Sequence, residues 1–133
     1  MKPIIESSAL QDQGVLITGG ARRVGAEIAR TLHAAGANIL IHYRASAAAA
    51  MALADQLNQV RPHSAAIHAA HLSTAEASEK LVAAALLEFG RLDILINNAS
   101  SFYRAAAHKS GGSRRSSSRA VRMSVLKGRS SLN

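Results

Sequence analysis

The sequence predicts an α/β fold, a doubly wound parallel sheet of about four strands and three helices, and three observations predict it. Short apolar runs alternate with longer helical patterns, the arrangement of βαβ units with right-handed crossovers. A glycine cluster, Gly19-Gly20 with Gly25, stands between the first strand and the first helix. Apolar periodicity and charge balance hold together up to Tyr103 and stop there.

Taken in order, residues 1–13 are a polar lead-in. Gly14–Thr18, with Val15-Leu16-Ile17, is the first strand. A helix over 22–35 follows, with Val24, Ile28, Ala29, Leu32 and Ala35 at helical spacing. Gly36 is its C-terminal stop. Residues 38–42 (NILIH) form the second strand, and Ser46 caps an alanine-rich helix to about Val60, where Arg61-Pro62 breaks it. The stripe Ala47–Ala50 reads as helix propensity alone. Residues 65–69 (AAIHA) make a third strand. Thr74 then caps a helix to about Phe89, ended by Gly90, and residues 92–96 (LDILI) are the fourth strand.

The chain has 133 residues, enough for one core-bearing domain. It has no cysteine, which excludes disulfides and thiolate metal sites. No acid-free apolar leader opens the sequence and no run approaches a membrane span, so a cytoplasmic protein without a membrane partner is expected. The net charge of +8 is not spread along the chain. Residues 1–103 carry eight Lys/Arg against eight Asp/Glu, whereas residues 104–133 carry eight basic residues and no acid. Three segments follow: the lead-in 1–13, a folded body 14–103 and a serine- and arginine-rich basic tail 104–133, expected to be irregular and disordered.

Ligands on such sheets bind at the carboxyl ends of the strands. That gathers residues 18–25, 42–46, 70–73 and 97–102 around one crevice. The strand–glycine turn–helix order presents free backbone N–H groups to a phosphate. The second strand ends in His42-Tyr43-Arg44, without the acid that would take a ribose 2′-hydroxyl. Arg44, with Arg22 or Arg23, would instead attract the 2′-phosphate of NADP; the competing reading makes them ordinary surface arginines. His68 and His71 lack a third partner at ligand spacing, so no metal site is expected.

These residues resemble the short-chain dehydrogenases/reductases, and within them the pteridine reductases. The resemblance rests on Thr18–Gly25 with its double arginine, His42-Tyr43-Arg44 with Ser46, Leu57-Asn58…Arg61-Pro62, and Asn97-Asn98-Ala99-Ser100-Ser101-Phe102-Tyr103. It covers residues 14–103 and implies a partial Rossmann-like sheet in the order 3-2-1-4. It also implies NADPH as cofactor, a pterin or folate as substrate, hydride transfer as the reaction, and homo-oligomers as the assembled state. By position, Gly19, Arg22, Arg23, Val24 and Gly25 would line the dinucleotide phosphates, and Tyr43, Arg44 and Ser46 the 2′-phosphate. His71 and Leu72 stand where relatives carry Asp-Leu beside the adenine. Asn97, Ala99 and Ser100 would follow the riboses and nicotinamide. Arg23, Ser100 and Phe102 would meet the pterin, with Phe102 stacking on it.

The family's catalytic Tyr-x-x-x-Lys pair has no counterpart: Tyr43 and Tyr103 are the only tyrosines, followed four residues on by Ala47 and Ala107. No catalytic residue is therefore assigned, and the expectation is a reductase body interrupted or frame-shifted after Tyr103. Such a body leaves the fourth strand as an exposed, aggregation-prone edge. Two other readings stay open: a non-catalytic NADP-binding or regulatory fragment, and a nucleic-acid binder acting through the tail without base specificity.

Overall fold

The structure, a computed structural model, describes residues 8–98 and 122–125. Its elements are β1 (Gly14–Thr18), α1 (Arg23–Ala34), β2 (Asn38–Tyr43), α2 (Ala47–Val60), β3 (Ala65–Ala69), α3 (Ala75–Phe89), β4 (Ile94–Asn97) and β5 (Arg122–Val125). They form one sheet in the order β3-β2-β1-β4-β5. The first four strands are parallel, and β5 runs antiparallel to β4. This is the expected partial Rossmann-like α/β fold, with one strand more than the sequence suggests.

Both faces of the sheet are covered, which is why the central strands read as unbroken apolar runs. On one face Val15, Ile17, Ile39, Ile41, Ile94 and Ile96 pack under α1 and α2. On the other, Leu16 and Leu40 meet Leu72, Leu81, Ala85 and Leu92 beneath α3. In β1 all five residues are buried.

The helices depart from the sequence reading in two places. Val24 belongs to the apolar repeat of α1 but is 56% exposed; the face turned to the sheet is Gly25, Ala26, Ala29 and His33. The alanine stripe of α2 is also more than propensity, because Ala50 is fully buried in the core with Leu53, Ala54 and Leu57. Its small side chain lets the helix lie close on β2 and β3.

The helix ends follow local chemistry. Thr74 caps α3 by accepting the Ala77 N–H at 3.1 Å. Gly90 closes the helix in the left-handed region at φ 79°, a conformation that favours glycine. Arg61, ahead of Pro62, is extended at φ −148°, as the proline ring requires of its predecessor. Its guanidinium turns back to the carbonyls of His33 (3.1 Å) and Ala37 (2.5 Å). Asn58 accepts the N–H groups of Ser64 and Ala65 at 2.9 Å and donates to the Ala65 carbonyl at 3.0 Å. The Leu57-Asn58…Arg61-Pro62 pattern therefore ties α2 to β3, at the end of the sheet opposite the crevice.

β4 starts at Ile94, two residues later than the apolar run suggests. Asp93 is engaged there, accepting the Gly14 N–H at 2.9 Å and a two-pronged contact from Arg91 at 2.7 and 2.9 Å. The expectation of an uncovered β4 edge is corrected, because β5 pairs with it, Ile94 opposite Val125 and Asn97 opposite Arg122. The expectation of a wholly irregular tail is corrected at the same four residues. Met123 and Val125 alternate with Arg122 and Ser124, a period too short to register as an apolar face, and both stay exposed. Backbone pairing, not burial, holds β5.

Candidate functional site

The carboxyl ends of β1, β2, β3 and β4 converge, and the turn after β1 is pinned from two sides. From β4, Asn98 donates its side-chain N–H to the Gly19 carbonyl at 2.9 Å, and its backbone N–H to Thr18 Oγ1 at 2.9 Å. Thr18 Oγ1 lies 3.3 Å from Asn97 Oδ1. From β2, the His42 carbonyl accepts the Gly20 N–H at 3.0 Å, and His42 Nδ1 accepts the Gly19 N–H at 3.0 Å. The opposite ring nitrogen, Nε2, lies 2.9 Å from the Ala70 carbonyl at the end of β3.

These contacts fix the state of the imidazole. Nδ1 accepts the hydrogen bond of the Gly19 N–H and so carries no proton, which leaves the ring proton on Nε2 to be donated to the Ala70 carbonyl. The ring is neutral. Burial pushes the His42 pKa below its usual value; the Ala70 carbonyl opposes this, and the charge of neighbouring His68 adds to it.

Helix α1 leaves the turn at close quarters. A Cβ on Gly25 would run into the Gly19 carbonyl oxygen and lie 2.8 Å from both Asn98 Nδ2 and Gly20 Cα. Only glycine lets the helix start this near the turn. Arg22 occupies the N-cap without a side-chain cap bond, and Arg23 takes φ 46°. Left-handed backbone costs a non-glycine residue about 1 kcal/mol. Arg23→Gly should raise stability to urea by about 0.5–1 kcal/mol; an unchanged or lower midpoint would show that the arginine is not strained.

Of the residues expected at the site, Arg22 and Ser46 are brought together, with Arg22 Nη1 donating to Ser46 Oγ at 3.4 Å. Ser46 stands at the N-cap of α2 but makes no capping bond. Arg23 and Arg44 are exposed, and Tyr43 is half-buried, packed against the α1–α2 side of the core. His71 is exposed, whereas Leu72 is 2% exposed in the α3-side core, so its side chain is a packing group and only its backbone is left to face a ligand. Val24 faces solvent beside an open depression of about 630 Å³ that Arg22, Arg23, Glu27 and Arg30 also line. Asn97 sits at the end of β4. Ala99, Ser100 and Phe102 lie outside the described residues.

The sequence places Thr18, His42 and Asn98 at the crevice, but gives neither Thr18 nor His42 a role of its own there. A polar residue closing an otherwise apolar strand, as His42 closes NILIH, was the available signal.

A family model for short chain dehydrogenase matches residues 13–122. The chain belongs to the short chain dehydrogenase family. The family match extends past Tyr103, the last residue of the resemblance that the sequence carries. Among curated relatives, pteridine reductase 1 of Leishmania tarentolae is 45% identical over 105 residues, covering 66% of this chain and 36% of the relative. The short-chain dehydrogenase/reductase FrzI of a Cladobotryum species is 33% identical over 91 residues, covering 68% and 35%. An uncharacterized oxidoreductase of Methylorubrum extorquens is 36% identical over 100 residues, covering 75% and 40%. The chain thus spans little more than a third of these relatives' lengths. The short chain dehydrogenases are oxidoreductases that use nicotinamide cofactors. Among the described residues no helix is long and apolar enough to cross a membrane.

Proposed function

We propose that this short chain dehydrogenase chain is the NADPH-binding part of a pteridine reductase-like oxidoreductase, serving hydride transfer to a pterin or folate. The observation that carries the cofactor half is the 3.4 Å contact from Arg22 to Ser46, which joins the turn after β1 to the loop after β2. That loop reads Tyr43-Arg44-Ala45-Ser46 and offers no carboxylate to a ribose 2′-hydroxyl. Two exposed guanidiniums and a hydroxyl there suit a 2′-phosphate, through charge-assisted hydrogen bonds. The glycine cradle at Gly19, Gly20 and Gly25 suits the pyrophosphate, since a Cβ at Gly25 would fill the space the turn occupies.

In this reading Gly19, Arg22, Arg23, Val24 and Gly25 line the phosphates, and Tyr43, Arg44 and Ser46 hold the 2′-phosphate. His71 and the Leu72 backbone border the adenine, and Asn97, Ala99 and Ser100 follow the riboses and nicotinamide. When bound, NADPH supplies the hydride. The pterin half is supported by the named relative and by Arg23, Ser100 and Phe102, which stand at the matching positions. No Tyr-x-x-x-Lys pair is present to deliver the accompanying proton. Cofactor binding is the part of that activity proposed for these residues.

Calorimetric titration tests this. The chain should bind NADPH in preference to NADH. Arg44→Ala should weaken NADPH by about 10- to 100-fold, the worth of one charged hydrogen bond, and leave NADH unchanged. Equal loss for both cofactors would remove the 2′-phosphate assignment. Titrating the NADPH complex with a reduced pterin tests the substrate half.

A further inference from the structure

We propose that His42 is a positioning residue whose neutral, Nε2-protonated imidazole ties the Gly19–Gly20 turn to the β3–α3 loop. It thereby sets the spacing between the phosphate and adenine ends of the crevice. The inference rests on the nucleotide-binding reading for its purpose and on geometry alone for its existence.

One ring spans the two walls. Nδ1 takes the Gly19 N–H at 3.0 Å, and Nε2 donates to the Ala70 carbonyl at 2.9 Å. The residue's own backbone adds the Gly20 N–H at 3.0 Å, and the next residue's carbonyl accepts the Ala70 N–H at 3.1 Å. His42 is 3% exposed, so water does not compete for either nitrogen. The turn and the loop after β3 are otherwise separated by the whole width of β2. A second ring proton would point Nδ1–H at the Gly19 N–H and break the tie on the phosphate side.

The surroundings oppose that second proton. His68 is the register neighbour on β3, His71 lies in the β3–α3 loop, Arg22 and Arg23 in the turn, and Arg44 two residues on. β1 brings no titratable side chain, and β4 brings only the amides of Asn97 and Asn98. On α3, across the same face of the sheet, Glu76, Glu79, Lys80 and Glu88 all point to solvent. Burial then keeps the ring neutral below the pH at which a free histidine charges.

The two halves of the tie can be cut separately. His42→Asn keeps an acceptor near the Nδ1 position but cannot reach Ala70, and His42→Gln keeps a donor toward Ala70 but offers Gly19 nothing. Each should weaken NADPH by about tenfold, the worth of one such bond. The readout in the wild-type chain needs no variant and no ligand. Imidazole ¹⁵N spectra should show His42 as the Nε2–H tautomer, and the Gly19 amide should be slow to exchange until the ring titrates. In His42→Gln the Gly19 amide should exchange faster while the Ala70 region is unchanged.

An Nδ1–H tautomer, or a Gly19 amide indifferent to His42 ionisation, would overturn the proposal. So would full NADPH affinity in both folded variants. If the wild-type chain binds no NADPH and the ¹⁵N and exchange signatures hold, the nucleotide reading fails and the tie stands.

Discussion

Gly25→Ala should cost about 3 kcal/mol of stability and abolish nucleotide binding. Alanine is the better helix former, and at an ordinary position the change would gain about 1 kcal/mol. Here the new methyl has no room, because it meets the Gly19 carbonyl oxygen and sits 2.8 Å from Asn98 Nδ2 and from Gly20 Cα. Two of those three neighbours are backbone, which cannot swing aside as a side chain can. The third, Asn98, is held to the Gly19 carbonyl at 2.9 Å. Overpacking of this kind costs about 1–3 kcal/mol, and each turn hydrogen bond lost on relaxation adds about 1 kcal/mol. The clash outweighs the propensity. A urea titration at neutral pH reads the result directly, and a Gly25→Ala midpoint at or above that of the parent chain would refute it.

Acid should weaken the fold through His33. The imidazole is 2% exposed and lies 2.6 Å from Ser64 Oγ. Ser64 gives its own proton to the Arg61 carbonyl at 2.5 Å, so Nε2 of His33 is the donor in their contact. Burial, with the Arg61 guanidinium adding to it, lowers the His33 pKa from 6.5 to about 4. The unfolded chain therefore takes up this proton first as the pH falls. His33's contribution is complete above pH 6.5, declines below it, and is lost by about pH 4. At 1.36 kcal/mol per unit the full loss is about 3 kcal/mol, of which about 2 kcal/mol falls between pH 7 and pH 5. Urea titrations across that interval should show the decline, and His33→Asn should flatten it. A stability independent of pH from 7 to 5 in the parent chain would mean that His33 titrates alike in both states.

The two histidines also show what a sequence can and cannot disclose. β1 and β2 were readable because strands buried on both faces carry uninterrupted apolar runs, β3 and β4 because short apolar segments stand between marked helix ends, and the helices because Thr74, Gly90 and Arg61-Pro62 mark their ends chemically. The convergence of Arg22 with the loop after β2 was readable too, since strand order dictates which loops share an edge. His42 and His33 were not. What decides their roles is the identity of groups on other strands, Gly19 and Ala70 for one and Ser64 for the other, and no local pattern contains that. Val24 misled for a different reason. It lies in the first turn of α1, ahead of Ile28, where the repeat keeps its spacing but the side chain faces the open depression lined by Arg22, Arg23, Glu27 and Arg30 instead of the sheet. β5 escaped because its apolar residues face solvent, leaving only a backbone ladder that any short extended segment can make. Leu72 was placed beside the cofactor by position, yet its side chain fills the space beneath α3.

The central place of β1 has a consequence for the order in which the molecule assembles. Its left-hand neighbour, β2, follows after a single helix, but the contact from Gly14 to Asp93 closes a separation of 79 residues. At roughly 5–20 residues per second of synthesis, one side of the most buried strand waits roughly 4–16 seconds for its partner. Through that interval Val15, Leu16 and Ile17 present an open ladder on a nascent chain. Whatever keeps the growing polypeptide from pairing with its neighbours on other ribosomes has to act there, on the first strand made and among the last completed.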